Sequence, residues 1–280
     1  MKRILIGTLM LLMCLSQTLM GQQFTKSKLH VLYVGGSPNT MDQYYQSSAD
    51  FQRSVSERMK SFEQMFDRYF EKVTAIHASE YTPAMSSNYD VTVFDGVPGA
   101  GTTQIDYDPK KWVNFLAQKV NVFPSDFDKP VLMIADASHN AGARIGLKYD
   151  WYCLCLENYA LKSNTDHAIF KGPFQVDIKQ EKRPTPTMAR QADFKGELGG
   201  TIPMWKVNEE INTDKSRVRP GLICHFGGFL DSPDTEYFSG GVSGKEINAV
   251  AIGRHGNFFH WGFAAAPDVM TPAIEAVLAN

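Results

Sequence analysis

Cysteine is scarce in this chain, with four among 280 residues. One of them, Cys14, lies in an apolar leader. The remaining three, Cys153, Cys155 and Cys224, are too few for a disulfide scaffold, and their odd number leaves at least one without an internal partner. The bland reading is three buried thiols packed as small hydrophobes. One disulfide to Cys224 is the alternative in an oxidising compartment. A one-sided charge balance is also missing: 28 Lys and Arg stand against 30 Asp and Glu. No basic stripe marks a nucleic-acid surface, so no nucleic-acid partner is expected. Long hydrophobic runs are absent after residue 15, and a bilayer span needs about 20 apolar residues. No G-x-G-x-x-G, Walker loop, H-E-x-x-H or C-x-x-C pair occurs. Nucleotide and zinc chemistry therefore have no local signature, and neither a cofactor nor a metal is expected.

What is present begins with a leader. Lys2 and Arg3 precede an uncharged apolar stretch, Ile4 to Leu15, and Gly21 supplies a small residue for cleavage. Residues 1–21 read as a signal peptide, which predicts a secreted or periplasmic mature chain of residues 22–280 with no membrane contact after cleavage. Its net charge would be −4, because the leader carries two basic residues and no acidic one. Its length suits one large domain, and 43% hydrophobic content fits a folded one.

Hydrophobic patterning predicts alternating strands and helices. Leu29 to Val34, Val73 to Ile76, Val91 to Phe94 and Val131 to Ala135 are short, largely apolar runs. Each of the longer runs ends in a Gly- or Asp-containing loop. Phe51, Val55, Met59, Phe62, Phe66 and Phe70 recur at helical steps. Pro109 to Val120 and Leu147 to Leu161 read as further helices. Such alternation predicts an α/β fold, a mostly parallel sheet covered on both faces. Residues 171–220 are rich in charge and proline and read as an elaboration, with Ile202 to Val207 as an edge strand. Order resumes at Gly221 to Phe226, Ala249 to Ile252 and Phe258 to Phe263, with a hairpin turn at Arg254 to Asn257. Leu222 to His225 is expected beside the earlier parallel strands. Thr271-Pro272 opens a last helix, as N-cap and first-turn proline.

In parallel sheets, ligands bind beyond the carboxyl ends of the strands. That rule selects Gly36, Asp95, Asp136, Ser138, His139, His225 and Trp261 as candidate ligand-binding residues. The stretch Asp136-Ala137-Ser138-His139-Asn140 follows a strand and precedes a helix, where a nucleophile elbow would sit. Ser138 and His139 are thus the catalytic candidates, although G-x-S-x-G is not present. A polar ligand loop and simple helix capping are the other readings. A metal site assembled from His139, His225 and Asp231 is a further alternative. His167 reads as a loop histidine bonded to backbone. His260 alternates with Phe259 and Trp261 and is expected to point outward.

The runs LHVLYVGG, YDVTVFDG, KPVLMIADAS, DHAIFKGP, AVAIGRHGNFFHWGF and TPAIEAVLAN resemble the trehalose-utilisation (ThuA-like) family of the class I glutamine amidotransferase-like superfamily. DHAIFKG is similar to that family's His-Pro-Ile-x-x-Gly segment. The resemblance implies a flavodoxin-like three-layer sandwich and a role in carbohydrate handling. Active amidotransferases place Cys at the elbow and His-Pro-Glu near the end. Here the elbow reads Asp136-Ala137-Ser138-His139, and the ending Phe259-His260-Trp261 lacks the acid. Cys153 and Cys155 come too late for the turn. The resemblance therefore implies binding or processing of a saccharide-related small molecule without glutaminase activity. A serine-dependent or metal-assisted hydrolase and a non-catalytic interaction domain stand beside it.

Overall fold

The computed structural model describes residues 24–38, 48–98, 122–138, 152–153, 156–191, 193–209, 221, 223–224, 229–243 and 249–280. The leader, the expected helix at 109–120, His139 and His225 lie outside the described residues. The described chain is a mixed α/β structure built on a twelve-stranded sheet with few helices.

Four strands form its parallel heart: β1 (Ser27–Gly35), β2 (Phe70–His77), β3 (Val91–Phe94) and β4 (Val131–Ile134). They stand in the order β2-β1-β3-β4. The late strand β12 (Phe258–Trp261) joins β4 in parallel, with Ile134 opposite Trp261. Beyond β12 the sheet turns antiparallel. Strands β11 (Val250–His255), β10 (Thr235–Ser243), β6 (Leu156–Leu161), β8 (Thr201–Lys206) and β7 (Gln180–Pro184) follow in that order. The parallel arrangement expected from the early strands thus holds for one half of the sheet and gives way to hairpin-type pairing in the other.

The apolar runs split cleanly by parity, because successive strand residues face opposite sides. Val31, Tyr33, Val93 and Ile134 face one cluster with Phe62, Met65 and Phe66 of helix α1 (Ser48–Tyr69). Ile274, Val277 and Leu278 of the C-terminal helix join the same cluster. Leu32, Val34, Phe94 and Met133 face the other side, against Tyr81, Phe123 and Phe229. Each such side chain, fully buried, contributes roughly 1.5–3 kcal/mol. A smaller cluster of Tyr159, Leu161, Met204 and Val242 holds the antiparallel half.

Three expectations are corrected. Leu156 to Leu161 is not helical but forms β6, paired with β10 and β8. Leu, Glu and Ala favour helix locally, and tertiary pairing overrides that preference. Gly241 on β10 makes room: a Cβ there would lie 2.1 Å from a Leu156 methyl carbon. The 222–225 run reduces to β9 (Ile223–Cys224), which pairs antiparallel with β11 and with β5 (Tyr152–Cys153), not with the parallel strands. That pairing also removes Cys153 from any helix. Strand β8 is not an edge, because β7 covers it, with Lys182 opposite Pro203. Within 171–220, therefore, two strands extend the sheet.

Candidate functional site

The carboxyl ends of β1, β3 and β4 come level because their registers match: Val34 lies opposite Phe94, and Phe94 opposite Met133. Gly36, Asp95 and Asp136 follow at one rim. The loops after β1 and β3 touch. A Cβ on Gly96 would lie 2.3 Å from the Gly35 carbonyl oxygen, so only glycine permits this approach. Gly36 takes φ 141°, in the region that favours glycine.

Asp95 anchors this rim from inside, only 2% exposed. Its Oδ2 accepts from the Tyr33 hydroxyl at 2.8 Å and from Arg58 Nε at 2.8 Å, and its Oδ1 accepts from Arg58 Nη2 at 2.7 Å. The Ser37 hydroxyl donates to the Asp95 carbonyl. Burial, and secondarily the Asp95 charge, push the Tyr33 phenol well above its ordinary value. The Arg58 guanidinium also lies 5.0 Å from the centre of the Phe62 ring. Arg58 and Tyr33 were not selected by sequence reasoning. A signal existed for Arg58: it falls three residues after Val55 and four before Phe62, inside the buried stripe of α1.

The turn after β4 holds the second cluster. Ala135 takes φ 46°, a left-handed conformation costing an L-residue roughly 1–2 kcal/mol. Its N–H donates to the Trp261 carbonyl at 2.7 Å, and its own carbonyl accepts from Ser138 N at 3.0 Å. The Ser138 hydroxyl donates to the Met133 carbonyl at 2.7 Å, and its Oγ lies 2.8 Å from His260 Nδ1. A hydroxyl has one proton. With that proton on the Met133 carbonyl, His260 Nδ1–H must donate to Ser138. Both residues are buried. Burial pushes the His260 imidazole down to about 4, against a smaller opposing effect of a backbone hydrogen bond at Val250. His260 therefore points inward, correcting the outward expectation: its strand is covered on both faces.

The rim thus gathers Gly36, Asp95, Asp136 and Ser138. Trp261 is not gathered with them. Its side chain packs with the α1-side cluster, on the opposite face from His260. His139 and His225 fall outside the described residues, so no geometry joins them to the rim. Among the described residues no group of three His, Cys, Asp or Glu is placed to hold a metal ion. His167 accepts from Ile169 N at 3.3 Å, the backbone role expected of it, and its Nε2 lies 3.2 Å from Glu236.

No protein-family profile matches the chain, and no curated protein matches it. Among solved structures, one described as a ThuA-like protein from Bacteroides uniformis is similar to it, with a TM-score of 0.44 and 7% identity over 92% of each chain.

Proposed function

We propose that this chain is an exported ThuA-like domain that binds a carbohydrate-related small molecule at the rim formed by Gly36, Asp95 and Asp136, without a covalent nucleophile. The observation that carries the second half is Ala135. A nucleophile elbow sets its reacting side chain on the strained residue of a strand-to-helix turn. Here the strained residue is Ala135, at φ 46°, and its side chain is a methyl group. Ser138 lies three residues further on, with its hydroxyl committed to the Met133 carbonyl. His260, donating to Ser138, has no role as its base. Ser138 and His260 are positioning residues in this reading, and the Arg58–Asp95 pair holds the rim loops in register.

The carbohydrate class rests on the resemblance of the quoted segments, and the rim position on the general behaviour of parallel sheets. The test is a saccharide panel followed by thermal unfolding and calorimetry, beside an ammonia-release assay with glutamine. One saccharide is expected to raise Tm and bind with unit stoichiometry, with no ammonia released. No binding across mono- and disaccharides overturns the binding half. Stoichiometric labelling of Ser138 by a fluorophosphonate overturns the non-covalent half and carries the serine-hydrolase reading instead.

A further inference from the structure

We propose that the outer edge of β2 takes an extended peptide as a further strand, one with a leucine-sized apolar residue and, two residues on, a lysine or arginine. β2 ends the sheet on one side, and among the described residues no strand lies beyond it. The interior strand β1 is buried at every residue from Val31 to Gly35, whereas Val73 to His77, their register partners, are all partly exposed. Successive residues of a strand turn their main-chain groups to opposite neighbours. The Val34 carbonyl accepts from Asp95 N at 2.9 Å, on the β3 side, so Val31 and Tyr33 turn theirs to β2. In a parallel ladder each of these bonds the two residues flanking its partner, here Lys72, Thr74 and Ile76. The N–H and C=O of Val73 and Ala75 therefore point away from the sheet.

The opposite edge is built differently. β7 carries Lys182, Arg183 and Pro184, residue types that keep a strand edge from pairing. From Val73 to His77, β2 has no acid, lysine, arginine or proline, and its register with β1 is unbroken.

A groove of about 700 Å³ runs between this edge and helix α1. Val55, Met59 and Ala75 supply its apolar lining, and Lys60, Glu63 and Glu80 its charges. Among the described residues none of these three charges has an ion-pair partner. His77 adds no cation at neutral pH: its Nδ1 accepts from Ser79 N at 3.2 Å, and burial holds it below its ordinary value of 6.5. Two carboxylates thus stand against one ammonium.

The edge and the groove point to the same occupant. Outward main-chain groups give affinity for a strand, and the side chains beside them select which strand. Residues i and i+2 of a strand face one side, roughly 7 Å apart. One apolar side chain covers Val55, Met59 and Ala75, and a cation two residues away answers Glu63 and Glu80. None of the rim residues takes part, so the peptide site does not rest on the saccharide reading.

The probe is acetyl-Thr-Thr-Leu-Thr-Lys-Thr-amide, titrated into the full chain and followed by amide NMR. Binding is expected to move the Val73 and Ala75 amide protons downfield and to leave that of Thr74, already in the ladder, in place. Only alternate peptide N–H groups face β2. Two peptides, methylated on the leucine nitrogen or on that of the threonine after it, should therefore differ in affinity by at least about five-fold, the loss of one hydrogen bond. Glutamate in place of the lysine should weaken binding, and Glu63→Lys with Glu80→Lys should reverse that preference. Ala75→Pro removes an outward N–H without breaking a ladder bond and should abolish binding. The peptide series and the amide shifts need no variant and decide the matter if Ala75→Pro fails to fold. Absence of binding, equal affinities of the two methylated peptides, or no preference for lysine over glutamate overturns the proposal. So does a dimer of the free chain that Ala75→Pro dissociates, which would give the edge to a second copy.

Discussion

Arg58 holds Asp95 through two parallel hydrogen bonds, 2.8 Å from Nε and 2.7 Å from Nη2, and both side chains are at most 3% exposed. The pair ties helix α1 to the loop after β3, across 37 residues of sequence. Removing one partner strands the other charge in the interior. Arg58→Ala and Asp95→Ala are each expected to lower stability by about 3–5 kcal/mol. Joint replacement by apolar residues of similar volume should cost much less. Urea unfolding of both single variants and of Arg58→Met with Asp95→Leu measures the difference. Additive losses in the double variant would show that the pair is not coupled.

The strands around this pair were legible in sequence, because β1, β3 and β4 are covered on both faces and read as short, largely apolar runs. Helix α1 was legible by its period. Arg58 was not, since a charged residue in a helix is normally assigned to the solvated face; only its register with Phe51, Val55 and Phe62 betrays it. Strand β10 was missed because Glu236, Ser239, Gly240 and Gly241 break the apolar run. Those glycines exist for close packing against neighbouring strands, a requirement set by partners far away in sequence. The rim positions Asp95 and Asp136 followed from strand ends alone. Which way Trp261 and His260 face depended on the register of β12 with β4, which periodicity within four residues does not set.

Ala135 tests the strained turn. A β-branched residue at φ 46° is a steric outlier. Ala135→Val is expected to lose at least about 2 kcal/mol, whereas Ala135→Gly should stay within about 1 kcal/mol of the parent, since relief of strain offsets the lost methyl. Equal stability of the Val variant would mean that the turn relaxes to an ordinary conformation.

Thr271 caps the last helix, accepting from Ile274 N at 3.5 Å and donating to the Lys206 carbonyl at 3.2 Å. The capping contact is long, so Thr271→Ala should cost near the lower end of the usual range, about 0.5–1 kcal/mol. Thermal unfolding at fixed pH reads it. A loss beyond about 2 kcal/mol would assign most of the effect to the Lys206 bond, because capping alone rarely exceeds that value.

His260 predicts an acid limit on stability. Its imidazole has an ordinary value of 6.5 and is pushed down to about 4 in the folded chain, chiefly by burial. Between those two values the unfolded chain binds a proton that the folded chain does not. Stability therefore rises with pH across this window. The contribution is fully present above pH 6.5 and is lost progressively as the pH falls through about 4. The shift corresponds to about 3 kcal/mol. His260→Gln, which keeps a donor without an ionisable ring, is expected to flatten the stability profile between pH 4 and pH 6.5. It should lose some stability at neutral pH through imperfect packing. Urea midpoints collected at half-unit intervals for both proteins separate the two effects. An unchanged slope in the variant would move the acid sensitivity to other groups and show that His260 is not the residue that resists protonation.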